Sequence, residues 1–190
     1  MEIRRATSAD ALAIATVHVR SWQAAYRGLL PQSYLDDLDP QRQRPQWDTV
    51  LESTDWPWRG TFVLYHGADA SSVDAASPAG AEANAGAVVG FASMSPSRDA
   101  DRDPTDVGEL QTLYLHPDVW REGGGSALLH AVRHECGRAG FHSATAWVLE
   151  SNVGARHFYE GRGWRPDGTS KPHDWGTFVV TDVRYQVRLS

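Results

Sequence analysis

The sequence predicts an α/β (α+β) fold, a mixed sheet flanked by helices, in one domain over residues 1–190. Three observations predict it. A short β-rich start is followed by stretches of helical period. Two β-rich runs then succeed one another with no helix between them, which gives an antiparallel pair. Finally a strand–helix–strand–helix order leads into terminal strands.

In order, Met1 to Arg5 reads as a strand. "TSAD" follows, with Thr7 as N-cap and Asp10 three residues on, a capping-box-like start. Leu12, Ala15, Val19, Trp22 and Tyr26 recur at spacings of three and four, the stripe of a helix that Gly28 ends. "LPQSYLDDLDP" predicts a second short helix stopping before Pro40, and "RQRPQWDTVLEST" a third. Thr61–His66 and Ala87–Ser95 read as strands. The small, polar, glycine-rich Gly67–Ala87 between them predicts a mobile loop, because it has too little apolar surface to order itself. "PSRDADRDPTDVG" reads as a turn-rich connector, Glu109–Leu115 as a strand and Ser126–Arg138 as a helix capped by Gly140. Ser143–Leu149 reads as a strand, Asn152–Glu160 as a short helix, and Thr177–Leu189 as one or two closing strands.

The bulk composition narrows the functions. A net charge of −6 argues against a general nucleic-acid binder, which needs a basic footprint, and favours a cationic small partner. No apolar run reaches the roughly 18 residues of a membrane helix, so no membrane partner is expected. "MEIRRATSAD" has no apolar h-region, and the single cysteine, Cys136, permits no intramolecular disulfide; both predict a cytoplasmic setting. Cys136 itself reads as a small core side chain. His130 and His134, four apart, face away from the apolar stripe of their helix and read as solvated, so no metal site is expected.

The chemistry concentrates in "LQTLYLHPDVWREGGGSALLHAV", Leu110 to Val132. Consecutive glycines at the start of a helix each cost about 1 kcal/mol relative to alanine. A glycine-rich turn between strand and helix offers free backbone N–H groups to an anion. A Walker A loop needs a lysine before the hydroxyl residue; Gly124, Gly125 and Ser126 supply none. A dinucleotide fingerprint needs a third glycine where Leu128 stands, directly after a strand. A connection without any ligand is the bland alternative.

Leu110–Leu129 resembles the acyl-coenzyme A motif of the GNAT superfamily of N-acetyltransferases. Its strand end Leu113-Tyr114-Leu115-His116-Pro117 and the Gly-x-Gly of Gly123-Gly124-Gly125 are similar to the family pattern. A second motif follows in "ESNVGARHFYEGRGW", through Asn152, Ala155, Phe158, Tyr159, Gly163 and Trp164. The N-terminal "VHVRSWQAAYRGLLPQSYLDDL" also resembles a bacterial branch of the family, so the likeness spans nearly the whole chain outside Gly67–Ala87. It implies a mostly antiparallel sheet with a parallel, splayed strand pair at the acyl-CoA cleft. It implies an enzyme moving an acetyl group from acetyl-CoA directly to a small-molecule or peptide amine, without a metal. The rival is a non-catalytic acyl-CoA sensor on the same fold; a third reading, a nucleotide-dependent oxidoreductase, would bind NAD instead.

By this resemblance Arg121, Glu122, Gly123, Gly124, Gly125 and Ser126 form the pyrophosphate turn. Trp120 and Glu122 depart from the pattern, which has Gln or Arg at the first and a cation more often near the second; the Glu122 carboxylate is expected to face solvent. Leu113, Tyr114 and Leu115 would line the pantetheine arm, the backbone groups of Leu113 and Leu115 pairing with it as an added strand. The Leu115 N–H would serve as oxyanion donor. Asn152 would contact the arm, cap its helix, or both. Tyr159 would protonate the leaving thiolate, and Glu109 would act as general base, often through water. Trp22 and Tyr26 sit on a core stripe, and would also wall the acceptor pocket, where aromatic faces suit a cationic amine. The acceptor's identity and the oligomeric state, a homodimer included, are not written in these motifs.

Overall fold

The computed structural model describes residues 1–65 and 87–189. The loop expected over Gly67–Ala87 lies outside the described residues except for Ala87 itself. Seven strands form one sheet in the order β1-β2-β3-β4-β5-β7-β6. They are β1 (Glu2–Arg5), β2 (Gly60–Tyr65), β3 (Val88–Pro96), β4 (Val107–Leu115), β5 (Ser143–Leu149), β6 (Arg165–Asp174) and β7 (Val179–Arg188). All neighbours are antiparallel except β4 and β5. The helices are α1 (Ala11–Ala25), α2 (Gln32–Asp36), α3 (Pro40–Glu52), α4 (Gly124–Arg138) and α5 (Val153–Glu160).

Most elements form where their residues call for them. Thr7 and Asp10 do build a capping box: the Asp10 carboxylate accepts from the Thr7 N–H at 2.8 Å and is also held by Arg4 at 2.7 Å. The third helix begins at Pro40, with Asp39 capping it. Pro at the first helical position loses only an N–H that would be unpaired anyway. Residues 177–189 hold one closing strand, β7, within the one or two expected. One departure stands out: the hairpin partner of β7 is β6, a ten-residue strand that contains Pro166, Gly168 and Pro172. Those residues argue against a strand, yet β6 lies at the sheet edge, where a missing N–H costs no ladder bond.

Each sheet face buries a separate core. On one side α1 and α3 bring Ile14, Ala15, Trp47 and Leu51 against Val63 and Phe91. On the other, α4 sets Leu128, Leu129, Val132 and Cys136 against Leu64, Met94, Leu110 and Ala146, with Tyr159 and Trp164 closing the end near α5. Burial, then the neighbouring Glu135, pushes the Cys136 thiol up to about 12, so it stays a packed thiol. His130 and His134 are exposed, and no group of metal-binding side chains occurs among the described residues. No described helix is long and apolar enough to cross a membrane.

The two cores meet at a break in the sheet. β4 pairs with β5 only from Val107 to Leu110, against Ser143 to Ala146, though β4 continues to Leu115 and β5 to Leu149. The break begins at a bulge. Opposite β3, Ser93 faces Thr112 and Met94 faces Leu110, so Gln111 is the extra residue. A bulge bends its strand and raises the local twist, which here turns the second half of β4 away from β5.

Candidate active site

The gap between the diverging ends of β4 and β5 is the centre of the site. The His116 N–H donates to Val89 O at 2.7 Å, toward β3. Because backbone groups alternate sides along a strand, those of Leu113 and Leu115 point the other way, into the gap. Among the described residues they have no partner, with one exception: the Trp120 indole N–H donates to the Leu115 carbonyl at 2.9 Å. Three cavities run through this region and share walls. One of about 330 Å³ lies between the glycine turn and α5. A middle one of about 540 Å³ fills the gap itself. The third, of about 340 Å³, opens on the α1 face. The first two share Leu113, Trp120, Phe158 and Tyr159; the last two share Tyr26, Gln111, Tyr114 and Trp147. The three cavities therefore adjoin in series through the sheet from the glycine turn to the α1 side.

At the first end, α4 starts at Gly124 with Gly123 as its N-cap. The glycines have different causes. Gly123 sits at φ +90°, a left-handed conformation that costs other residues strain, with open space around it. Gly124 is a close approach: a Cβ there would lie 2.6 Å from Leu64 Cδ2 and 2.8 Å from Leu115 Cδ2. Its glycine lets the helix end seat on the sheet. The first amides of α4 have no intrahelical acceptor and face the cavity mouth. Glu122 is exposed, as expected of a carboxylate in such a turn. Two cations line this end, the expected Arg121 and also Arg162, which the sequence left unremarked. The Arg162 guanidinium donates to Ser126 Oγ at 2.6 and 2.9 Å and to Phe158 O at 2.8 Å, and stacks 3.9 Å from the Phe158 ring centre.

In the middle, α5 projects Tyr159 into the gap. The residue lines both inner cavities, and its hydroxyl has no hydrogen-bond partner among the described residues. Burial, with the nearby Tyr114 adding to it, pushes its pKa well up, so the phenol stays protonated. Asn152 caps α5, its Oδ1 accepting from the Ala155 N–H at 3.0 Å, and also borders the gap.

The α1 end is aromatic. Trp22 and Tyr26 line it while Trp22 also packs on Leu30, Leu35 and Leu149, so wall and core are one surface. Tyr114 turns its side chain to this face and stacks on His18, centroids 5.3 Å apart and planes 11° apart. The His18 Nδ1 accepts from Trp47 Nε1 at 3.3 Å, and burial lowers its pKa to about 4. Glu109 is buried on this wall. Arg98 donates to it through its backbone N–H at 3.0 Å, Nε at 3.2 Å and a terminal nitrogen at 2.6 Å.

Arg98 belongs to the β3–β4 loop, which a buried arginine holds in place. Arg184, 2 % exposed, donates to Asp101 at 2.6 and 2.7 Å, to Asp167 at 2.7 Å, to Asp99 at 3.1 Å and to Thr169 at 2.9 Å. Trp147 adds its indole N–H to Asp99 at 3.0 Å. The hydrogen bond from Arg184 lowers the Asp101 pKa to about 2.

Acidification should loosen this end. The folded pKa of His18 lies below its unfolded value of about 6.5, so its contribution is complete above that value and is lost as pH falls toward 4. The shift corresponds to something on the order of 3 kcal/mol. Asp101 has the same sign: its share is present above an unfolded value of about 3.8 and lost as pH falls through about 2. Melting temperature is expected to fall from pH 7 to pH 4, and His18→Gln should flatten most of that slope. A flat profile in the unaltered protein would contradict the placement of His18.

A profile of the Acetyltransferase (GNAT) family matches residues 32–164. The uncharacterized N-acetyltransferase YuaI of Bacillus subtilis (strain 168) is 31 % identical over 150 residues, 79 % of this chain and 72 % of that one. Among solved structures, the PaiA N-acetyltransferase of Thermoplasma acidophilum in complex with coenzyme A superposes at TM-score 0.64 with 18 % identity over 98 % of each chain. The yncA structure from Salmonella typhimurium with its cofactor acetyl-CoA superposes at 0.64 with 20 % identity, over 100 % of this chain and 94 % of that one. The chain belongs to the acetyltransferase (GNAT) family, and the splayed parallel pair β4–β5 is the feature of its fold around which the candidate site residues gather.

Proposed function

We propose that the adjoining cavities hold acetyl-CoA from the glycine-turn side and an amine from the α1 side, and that the two react in the gap between β4 and β5. The chain is an acetyl-CoA-dependent N-acetyltransferase. Acetyl-CoA supplies an acyl group activated as a thioester; the residues bind, orient and move protons.

The observation that carries the assignment is the β4–β5 gap with its unpaired backbone edge. The fit to acetyl-CoA is good at three places. The turn at Gly123–Ser126 offers amides and the nearby Arg162 to a pyrophosphate. The Leu113 edge offers an N–H and a C=O to a pantetheine amide. The phenol of Tyr159 waits at the inner end with its proton. Trp120 holds the Leu115 carbonyl, so the Leu115 N–H is the group left to receive charge developing on the thioester oxygen.

In this reading Tyr159 gives its proton to the departing sulfur. Glu109 receives the acceptor's proton through water. A carboxylate has about four lone-pair positions; Arg98 occupies three, which leaves one on Oε1. One N–C bond forms and one C–S bond breaks. The ammonium loses two protons, the thiolate takes one, and one is released. Trp22 and Tyr26 face the incoming amine.

Acetyl-CoA at millimolar concentration is expected to raise the melting temperature, since a ligand that binds only the folded state stabilises it by mass action. NAD should give no shift. The reverse pattern would overturn the assignment, and a shift without turnover of any amine in a broad thiol-release screen would favour a sensor.

A further inference from the structure

The acceptor end carries two charges that the transfer chemistry leaves unused. Lys171 and Asp182 are register partners across the β6–β7 ladder, so their side chains leave the same face side by side. Opposite charges so placed ordinarily pair; these do not. Asp182 accepts at Oδ2 from the His173 ring at 3.0 Å, and its side chain is only 14 % exposed. The Lys171 ammonium instead lies 3.7 Å from the Trp147 ring centre and has no carboxylate partner among the described residues. Both line the 340 Å³ cavity.

Counting charges around that cavity separates ligand classes. Arg98 and Glu109 pair with each other and His173 engages one oxygen of Asp182, which leaves Lys171 and the second Asp182 oxygen without a partner among the described residues. A polyamine would find one carboxylate and one repelling ammonium. A simple amine would leave Lys171 unmatched. A zwitterion with adjacent opposite charges answers both. Neighbouring side chains across a ladder have Cβ atoms about 4.5–5.5 Å apart, so one small zwitterion can meet both residues. The other walls combine the large, apolar Trp22, Tyr34, Leu38, Trp175 and Val180 with the polar Gln43, Gln46, Gln111 and Thr112. Asp182 is the register partner of Leu149, which borders the reaction gap, so an ammonium on Asp182 lies toward the transfer end.

We propose that the acceptor is a free α-amino acid with a large apolar or aromatic side chain, its ammonium on Oδ1 of Asp182, its carboxylate on Lys171 and its side chain among Trp22, Tyr34 and Trp175. The assignment deepens the transfer reading and rests on it.

The test compares L-phenylalanine, L-phenylalaninamide, phenethylamine and 1,5-diaminopentane under saturating acetyl-CoA, by thiol release. A second measurement follows tryptophan fluorescence as L-phenylalanine is added to protein saturated with coenzyme A. The amino acid is expected to exceed phenethylamine and the amide in kcat/KM by about tenfold or more. Lys171 is exposed at the rim, so Lys171→Met leaves the fold intact. It should shrink that preference by about fivefold, the upper range for an exposed ion pair, and Lys171→Arg should restore it. Preference for the amide, the amine or the diamine, or a preference that Lys171→Met leaves unchanged, overturns the proposal while leaving acetyl transfer standing. Binding of L-phenylalanine that depends on Lys171 but yields no acetylated product supports the ligand assignment and counts against the transfer reading.

Discussion

Tyr159→Phe is expected to lower kcat by roughly 10²–10⁴-fold, the range that a positioned general acid supplies. The change removes one oxygen. The ring stays packed against Trp164, centroids 5.6 Å apart, and beside Phe158 and Tyr185. Affinity for coenzyme A by calorimetry should therefore change little. Two features of the residue support the role. The residue lines the gap and its hydroxyl has no partner among the described residues, and burial keeps it protonated across any working pH. A thiolate leaving into the same water-poor gap is likewise raised in basicity and can take that proton. Unchanged kcat would reduce Tyr159 to a packing aromatic. Loss of affinity together with kcat would make the hydroxyl part of the binding site rather than the proton donor.

Arg184→Ala is expected to have the largest effect on stability. The side chain is 2 % exposed and shared among Asp99, Asp101 and Asp167. Removing one partner of a buried ionic cluster leaves uncompensated charge and costs about 3–5 kcal/mol. For a chain of this length that is a drop in melting temperature of about 10 °C. The loss should also reach the site. The β3–β4 loop carries Arg98, and Arg98 holds Glu109, so activity at a temperature where the variant remains folded should fall as well. A melting temperature within 2 °C of the unaltered protein, by the same scaling roughly half a kcal/mol, would mean that the loop is anchored by other contacts.

The parts of this molecule that rest on local patterns were legible in the sequence. The stripe of α1 and the cap at Thr7 and Asp10 follow from spacing alone. The strand Ser143–Leu149 was bounded correctly by its β-branched and aromatic residues between a cap and a turn. The glycine turn and Tyr159 came from two motifs in the right order, and the structure places them around one gap. What stayed hidden depends on partners far along the chain. Arg184 and Arg162 look like ordinary surface arginines until the fold brings Asp101 and Ser126 to them. Strand β6 was hidden by its prolines, which only an edge position excuses. Lys171 and Asp182, eleven positions apart, become neighbours only through that strand. Gly124 was legible as a glycine but not in its cause, since Leu64 and Leu115 reach it from two separate strands.

Amide hydrogen exchange, read residue by residue with and without acetyl-CoA, tests the central claim most directly. If the co-substrate lies along β4 with its pyrophosphate on the helix end, protection should rise at the amides of Leu113 and Leu115, at Gly123 to Ser126 and at the start of α5. The outer strands β1 and β2 should not respond beyond the general stabilisation. Protection confined to the α1 face, or none at Leu113 and Leu115 while acetyl-CoA is demonstrably bound, would place the ligand elsewhere and contradict the account.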